Sequence, residues 1–75
     1  MTFQKKFGTA VRSRRENLGF SQEYLAELAS MHRTYVGSIE RGERNVSLEN
    51  IVKLCKALQI KPSSLMSSLD EFVDL

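Results

Sequence analysis

The chain has 75 residues, of which 41% are hydrophobic and 27% charged, and its formal net charge is +2. A chain of this length forms one small domain that buries only roughly 60% of its unfolded surface, so a partner subunit would help to stabilise it. The composition is that of a soluble globular protein, since no apolar run approaches a membrane span and the basic N-terminus lacks the apolar segment of a signal peptide. A single Cys excludes an internal disulfide framework. Together these features indicate a cytoplasmic protein.

The first of five predicted helices ends at Gly19 and holds most of the positive charge. Its apolar side chains recur at helical spacing, and they are Phe3, Phe7, Ala10, Val11 and Leu18. Residues 1–20 carry a charge of 5 − 1 = +4, from one Glu at position 16 and the basic residues Lys5, Lys6, Arg12, Arg14 and Arg15. A basic flank of this kind raises the affinity for a phosphate polyanion without giving sequence specificity.

Two short helices joined by a tight turn are predicted over residues 21–41. Ser21 caps the second helix, and Ala26 is small enough for a close helix crossing. The third helix, from about His32 to Arg41, has two faces at about 100° per residue. Its packing face holds His32, Tyr35, Val36 and Ile39, and its other face holds Arg33, Thr34, Gly37, Ser38 and Arg41. The second face is polar and narrow, which is typical of a helix that reads base edges in DNA.

Two further helices complete an all-α domain over residues 1–75. Ser47 caps the fourth helix, whose predicted inner face consists of Leu48, Ile51, Val52, Cys55 and Leu58. Pro62 suits the first turn of the fifth helix, whose apolar stripe consists of Leu65, Met66, Leu69, Phe72 and Val73. A free apolar stripe on a small domain is a common surface for self-association, so we predict a dimerisation helix over residues 62–74. The alternative is that the stripe closes over the core of the monomer.

The run from Leu18 to Ile51 resembles the helix-turn-helix domain of the Xre/Cro-type phage repressor family. The matching segments are LGFSQEYLAELA, V-x-x-IERGER and SLENIVKLCKAL. Within that family, the segment HRTYVGSIERGERNVSLENI is most similar to the small controller proteins of restriction–modification systems. The resemblance implies a compact repressor-like fold. It also implies a homodimer that binds double-stranded operator DNA and regulates transcription of its own gene and of the endonuclease.

The resemblance further implies roles for individual positions. Arg33 and Thr34 open the recognition helix, where an arginine can fork onto guanine and a threonine can offer its methyl group to thymine. Ser38 is a further candidate for a base, and Tyr35 is explained equally well by packing and by a DNA contact. The expected phosphate contacts are Gln22, His32, Arg41, Arg44, Asn45 and Ser47, with an N-cap role as the other possibility for His32.

Three other positions carry structural expectations. A carboxylate at Glu40 would repel phosphate, and the resemblance implies that it forms a structural ion pair with Arg15. Ser30 and Gln59 stand where the family usually has glycine. A serine held in the left-handed conformation costs on the order of 1 kcal/mol relative to glycine.

Catalytic and metal-binding functions lack the residues that they need. One His and one Cys cannot complete a tetrahedral metal site, and no nucleophile with its base is evident. We therefore expect no enzyme, no cofactor, no metal, no membrane contact and no small-molecule effector. The alternatives to a controller protein are a prophage or plasmid repressor of the same fold and a protein-interaction module of the antitoxin type. The polar, basic face of the third helix favours DNA over a protein, because protein interfaces concentrate apolar side chains at their centres.

Overall fold

The computed structural model describes residues 1–73, and the regular structure within them is entirely helical. The elements in chain order are α1 (Phe3–Asn17), α2 (Gln22–Leu28), α3 (Arg33–Glu40), α4 (Leu48–Leu58), α5 (Pro62–Leu65) and a 3₁₀ helix (Ser67–Phe72). The all-α fold predicted from the sequence is confirmed. Residue 74, the last of the predicted dimerisation helix, lies outside the described residues, as does residue 75.

Short side chains begin three of the helices, as the sequence predicts for two of them. The hydroxyl oxygens of Thr2, Ser21 and Ser47 accept from the backbone N–H groups of Lys5, Tyr24 and Asn50, at 3.1, 3.0 and 3.1 Å. Each bond satisfies one of the N–H groups that the first turn leaves without a partner in the helix. His32 occupies the N-cap position of α3, but its side chain makes no capping hydrogen bond.

The first four helices end in the same closure. In each, a backbone N–H group donates a hydrogen bond to the carbonyl five residues earlier. The donors and acceptors are Phe20 and Arg15, Met31 and Ala26, Glu43 and Ser38, and Ile60 and Cys55, at 3.0, 2.8, 2.9 and 3.1 Å. The residue inside each closure is left-handed, and these residues are Gly19, Ser30, Gly42 and Gln59, with φ of 74°, 56°, 78° and 55°. Ser30 and Gln59 therefore adopt the glycine-like conformation that their positions in the family pattern imply.

The core lies between α1, α2, α3 and α4, each of which contributes fully buried aliphatic side chains, namely Val11, Leu25, Val36, Ile39, Leu54 and Leu58. The inner face predicted for α4 is wrong at two positions, since Leu48 is 78% exposed and Val52 41% exposed. The buried face of α4 is centred instead on Leu54, Cys55 and Leu58. Val52 lies about 100° around the helix from Ile51, which is enough to turn it toward solvent.

Gly8 brings the backbones of α1 and α3 into contact. A Cβ atom at this position would overlap the carbonyl oxygen of Ile39 and lie 2.8 Å from that of Glu40. Such an overlap cannot be relieved by a rotamer change, because the neighbouring atoms belong to the backbone. α1 therefore supports the last turn of α3 directly.

The predicted fifth helix is divided into α5 and the 3₁₀ helix. Serine side chains compete for backbone hydrogen bonds in this region, and the Ser67 hydroxyl donates to the carbonyl of Ser64 at 2.8 Å. The 3₁₀ helix turns back onto α1, where the rings of Phe72 and Phe3 meet edge to face with centroids 4.8 Å apart. An ion pair of 2.6 Å between Lys6 and Glu71 joins the same two elements.

Candidate nucleic-acid interface

Helices α2 and α3 form the predicted pair, and α3 presents two different faces. Its inner face packs Val36 and Ile39 into the core, and Ala26 of α2 is buried beside them. Arg33 and Thr34 are exposed in the first turn of α3, and His32 is exposed immediately before it. The residues that the sequence assigns to base contacts in the first turn are therefore free to enter a groove.

A buried ion pair fixes the end of α3. The guanidinium of Arg15 donates to both carboxylate oxygens of Glu40, with Nε to Oε2 at 2.7 Å and Nη2 to Oε1 at 2.9 Å. The two side chains are only 11% and 3% exposed. The hydrogen bond to Glu40 raises the pKa of Arg15 above its ordinary value. The pair implied by the family resemblance is thus present, with the bidentate geometry that makes arginine–carboxylate contacts strong.

Gln22 extends this contact to α2. Its amide Nε2 donates to Glu40 Oε1 at 3.1 Å, so one carboxylate joins α1, α2 and α3. Arg15 also donates to the carbonyl of Phe20 at 2.8 Å, in the turn that leads into α2. The side chain of Gln22 is half-buried and forms its hydrogen bond with Glu40. Any phosphate contact by Gln22 would therefore be made by an amide that is already held in place.

Ser38 occupies a different place from the one predicted. It is only 4% exposed, and its hydroxyl donates to the carbonyl of Tyr35 at 2.7 Å. The same hydroxyl oxygen accepts from Arg44 Nε at 3.2 Å. In this conformation Ser38 cannot reach a base, because α3 and the following connection cover it. Its hydroxyl instead joins the Tyr35 carbonyl to Arg44.

Tyr35 lies between Ser38 and α4 and is half-buried. Its hydroxyl oxygen accepts from Asn50 Nδ2 at 3.0 Å, and the Arg44 guanidinium carbon lies 5.6 Å from its ring centroid. That distance falls within the range of a cation–π contact. Tyr35 is therefore packed over part of its ring and exposed over the rest, and its contact with DNA stays a prediction. The sequence offered no signal for Asn50, since an amide in the first turn of a helix is common.

Two other predicted phosphate contacts lie in the connection between α3 and α4. The side chain of Asn45 is exposed, and its Oδ1 accepts from Gln4 Nε2 at 2.7 Å. Ser47 is also exposed, but its hydroxyl serves as the N-cap of α4. Arg44 lies in the same connection and is also exposed. The predicted phosphate contacts of residues 44–47 are therefore together on one exposed segment.

Arg41 and Glu43 form a contact that the sequence analysis missed. Arg41 Nε donates to Glu43 Oε2 at 2.9 Å and Nη2 donates to Oε1 at 3.2 Å. The side chains are 60% and 55% exposed. These hydrogen bonds raise the pKa of Arg41 and lower the pKa of Glu43. Arg41 and Glu43 are two positions apart in the sequence. This spacing brings their side chains together only because the left-handed Gly42 turns the chain back between them.

Most of the basic side chains of residues 1–20 form ion pairs or hydrogen bonds within the protein. Lys6 pairs with Glu71, Arg12 with Glu16 and Arg15 with Glu40. Arg14 donates to the carbonyls of Leu58 and Gln59 at 2.9 and 3.1 Å, which satisfies acceptors at the end of α4. The expected basic flank on the first helix is therefore smaller than its formal charge suggests, and Arg33, Arg41 and Arg44 carry more of the exposed charge near α3.

The acidic, His and Cys side chains of residues 1–73 are scattered. Within that range no group of three His, Cys, Asp or Glu side chains is placed to hold a metal ion. Cys55 is buried in the core, and burial raises the pKa of its thiol, which leaves it poorly nucleophilic. Among the helices described, none is both long and apolar enough to cross a membrane.

Comparison with known proteins gives consistent matches. A family model described as helix-turn-helix matches residues 11–65. The control protein C.BamHI of Bacillus amyloliquefaciens is 51% identical over 61 residues, which cover 80% of this chain and 75% of that protein. The control protein C.SmaI of Serratia marcescens is 49% identical over 57 residues, covering 76% and 68% of the two chains. The crystal structure of the restriction–modification controller protein C.AhdI from Aeromonas hydrophila superposes with a TM-score of 0.81 at 53% identity, covering 83% of this chain and 94% of that one.

Proposed function

Because this chain belongs to the Xre-type helix-turn-helix family and has restriction–modification controller proteins among its relatives, we propose that it is a sequence-specific DNA-binding regulator of transcription. Its target is an operator in its own promoter region, and through that operator it controls a restriction–modification system. A regulator of this kind acts where the DNA is, so we place it in the cytoplasm and assign it no catalytic activity of its own.

The outer face of α3 is the observation that supports this function best. Arg33 and Thr34 are exposed at its start, and Arg41 and Arg44 follow at its end. Arginine and threonine can read base edges in the major groove, which is about 12 Å wide and admits an α-helix. A face without an apolar centre is unsuited to a protein partner.

The contacts divide by chemistry into those that read sequence and those that fix position. Arg33 and Thr34 read bases, and Tyr35 contributes at the edge of the groove. Ser38 acts indirectly, by orienting Arg44 through its buried hydroxyl. The contacts to phosphate come from Gln22, His32, Arg41, Arg44, Asn45 and Ser47.

The active species is a homodimer. Two copies related by a two-fold axis would place their α3 helices in successive major grooves, roughly 34 Å apart on one face of the DNA. The apolar stripe of residues 65–73 supplies the interface, with one change from the sequence prediction. Leu65 is buried in the core of the monomer, and Met66 and Leu69 are half-buried, so Phe72 and Val73 provide its exposed part.

Footprinting on the DNA upstream of its own gene tests the proposal. We expect protection of two half-sites on one face of the duplex, and binding that weakens steeply as salt rises, because phosphate contacts release counterions. Binding that is flat across salt would contradict the proposal and favour the protein-interaction module. Genes for a methyltransferase and an endonuclease beside this one would separate a controller protein from a prophage or plasmid repressor.

Replacement of one arginine tests the assignment of base contacts. We expect Arg33→Ala to reduce discrimination at one base pair by about 1–3 kcal/mol, because a bidentate arginine–guanine contact is lost. Arg12→Ala is the matched control, since it removes an exposed arginine that pairs with Glu16 on α1. If Arg33→Ala weakens binding equally on every sequence and Arg12→Ala does not, Arg33 contacts phosphate and does not read a base. Equal weakening by both variants would show only an effect of net charge. Binding to duplexes with single substitutions in the protected half-site is the measurement.

A further inference from the structure

The contact between Arg41 and Glu43 lies on the face that the proposed function turns toward DNA. Both bonds of the pair are within hydrogen-bond range, at 2.9 and 3.2 Å, so the carboxylate takes up two of the guanidinium donors. A DNA phosphate presents the same kind of acceptor, two oxygens carrying negative charge, and arginine binds either group in a fork. Glu43 and a phosphate therefore compete for the same side chain.

The backbone around the pair holds Glu43 in place. The N–H of Glu43 donates to the carbonyl of Ser38 at 2.9 Å and closes the end of α3. A Cβ atom on Gly42 would lie 2.7 Å from the Cα atom of Lys5, so this turn is pressed against the start of α1. The backbone from which the Glu43 carboxylate extends is thus held by the fold.

Gly37 gives Arg41 room to lie along α3. A Cβ atom at position 37 would be 3.1 Å from Arg41 Nη1, closer than an ordinary contact. The guanidinium therefore lies back over the middle of the recognition helix while Glu43 holds its other edge. In this arrangement Arg41 points along the protein surface.

The charges around Glu43 keep it ionised. Its pKa is lowered by the hydrogen bonds from Arg41, and the charges of Arg41, Arg44 and Lys5 lower it further. A negative group thus persists among the exposed cations Arg41, Arg44 and Lys5. There it opposes the approach of phosphate in addition to occupying Arg41.

We propose that Glu43 is a specificity-determining residue, which holds Arg41 as a substitute for phosphate and suppresses binding to DNA that lacks the operator. The proposal rests on the proposed function. On an operator, base contacts by Arg33 and Thr34 draw α3 into the groove and bring a phosphate within reach of Arg41. An exposed ion pair is weak, so the phosphate displaces Glu43 at small cost. On other sequences α3 remains farther out, and Arg41 stays on Glu43.

The test compares Glu43→Gln with Glu16→Gln on two duplexes of equal length, one from the protected upstream region and one of random sequence. Both variants change the net charge by the same amount, but only the first releases Arg41, since Glu16 pairs with Arg12. We expect Glu43→Gln to bind random DNA severalfold more tightly, with a salt dependence steeper by about one phosphate contact per protomer. Affinity for the upstream duplex should rise less, so the ratio of the two affinities falls.

The variant Arg41→Ala separates the proposed contact from a general charge effect. Adding Glu43→Gln to Arg41→Ala should have no more effect than adding Glu16→Gln. The proposal is overturned if Glu43→Gln and Glu16→Gln act alike, if Glu43→Gln strengthens binding to both duplexes equally, or if its effect survives in the Arg41→Ala background. Failure of the unmodified protein to bind either duplex would refute the proposed function itself, and this proposal with it. Circular dichroism confirms that each exposed substitution leaves the fold intact.

Discussion

At the scale of the residue, Ser30 carries backbone strain that glycine would avoid. Its φ of 56° is left-handed, and its N–H and that of Met31 both close the end of α2. The side chain is exposed, so no packing contact in the core compensates for the strain. The closures at Gly19 and Gly42 show the same backbone geometry with the residue that suits it.

We therefore expect Ser30→Gly to raise the free energy of unfolding by about 0.5–1 kcal/mol, the left-handed penalty less the extra flexibility of glycine in the unfolded chain. Ser13→Gly is the matched control, because Ser13 is exposed within α1. There the same substitution should lower stability by about 0.5 kcal/mol, since glycine is a poor helix former. Urea denaturation measures both. Destabilisation by both substitutions would show that the backbone at Ser30 is not strained.

The buried carboxylate of Glu40 belongs to the scale of the element, since it contacts side chains from both α1 and α2. Arg15→Ala would leave it without its charged partner, which costs about 3–5 kcal/mol for a fully buried pair. A small domain has a total stability of only about 5 kcal/mol. We expect Arg15→Ala to leave only about 0–2 kcal/mol of stability, so that the melting temperature falls sharply and up to about half of the molecules are unfolded near room temperature.

The control for this prediction is Arg12→Ala, which removes an exposed pair worth at most about 1 kcal/mol. Arg14→Ala is a less suitable control, because Arg14 binds the carbonyls that end α4. A thermal melt of each variant compares them. Equal melting temperatures for Arg15→Ala and Arg12→Ala would show that the pair contributes little to the fold.

The elements themselves were largely predictable from the sequence, because caps and apolar spacing are local signals. Ser21, Ser47 and Gly19 mark helix boundaries that the structure reproduces to within one or two residues. The division of the last helix was not predictable from its apolar stripe. It depends on serine hydrogen bonds and on the contact of Phe72 with Phe3 at the other end of the chain.

The candidate site was predictable in outline and less so in detail. The exposed residues Arg33 and Thr34 follow from helical geometry alone. The burial of Ser38 depends on Arg44 and on the connection that covers it. Both lie beyond the end of α3, so the periodicity of that helix does not predict where they are. The pair of Arg41 with Glu43 depends on the left-handed turn at Gly42. Side-chain partners across a turn require coordinates, because periodicity describes only one element at a time.

At the scale of the whole molecule, two exposed apolar surfaces compete as places for a second copy. One is the C-terminal end, where Val73 is 56% exposed, and the other is the outer face of α4 with Leu48 and Val52. Both surfaces are outside the core, so a charged substitution at either leaves the monomer folded. The same change, valine to aspartate, can be made at each.

We expect Val73→Asp to shift the protein toward monomer in sedimentation equilibrium, because an ionised carboxylate would be buried at the interface without a partner. Its affinity for the upstream duplex should fall accordingly, since a monomer reads one half-site. Val52→Asp should remain dimeric. The reverse result, with Val52→Asp monomeric and Val73→Asp dimeric, would move the interface from the C-terminal end to α4.

The contact of α1 with α3 at Gly8 ties the stability of one helix to the position of the other. Glycine within a helix costs about 1 kcal/mol relative to alanine, and the first turn of α1 contains Lys5 and Lys6 but no acidic residue, which opposes the helix dipole. Most helical stability in a protein comes from tertiary packing, and for α1 that packing includes a backbone contact that only glycine permits. A side chain at position 8 would therefore weaken α1 and also change the angle at which α3 leaves the core.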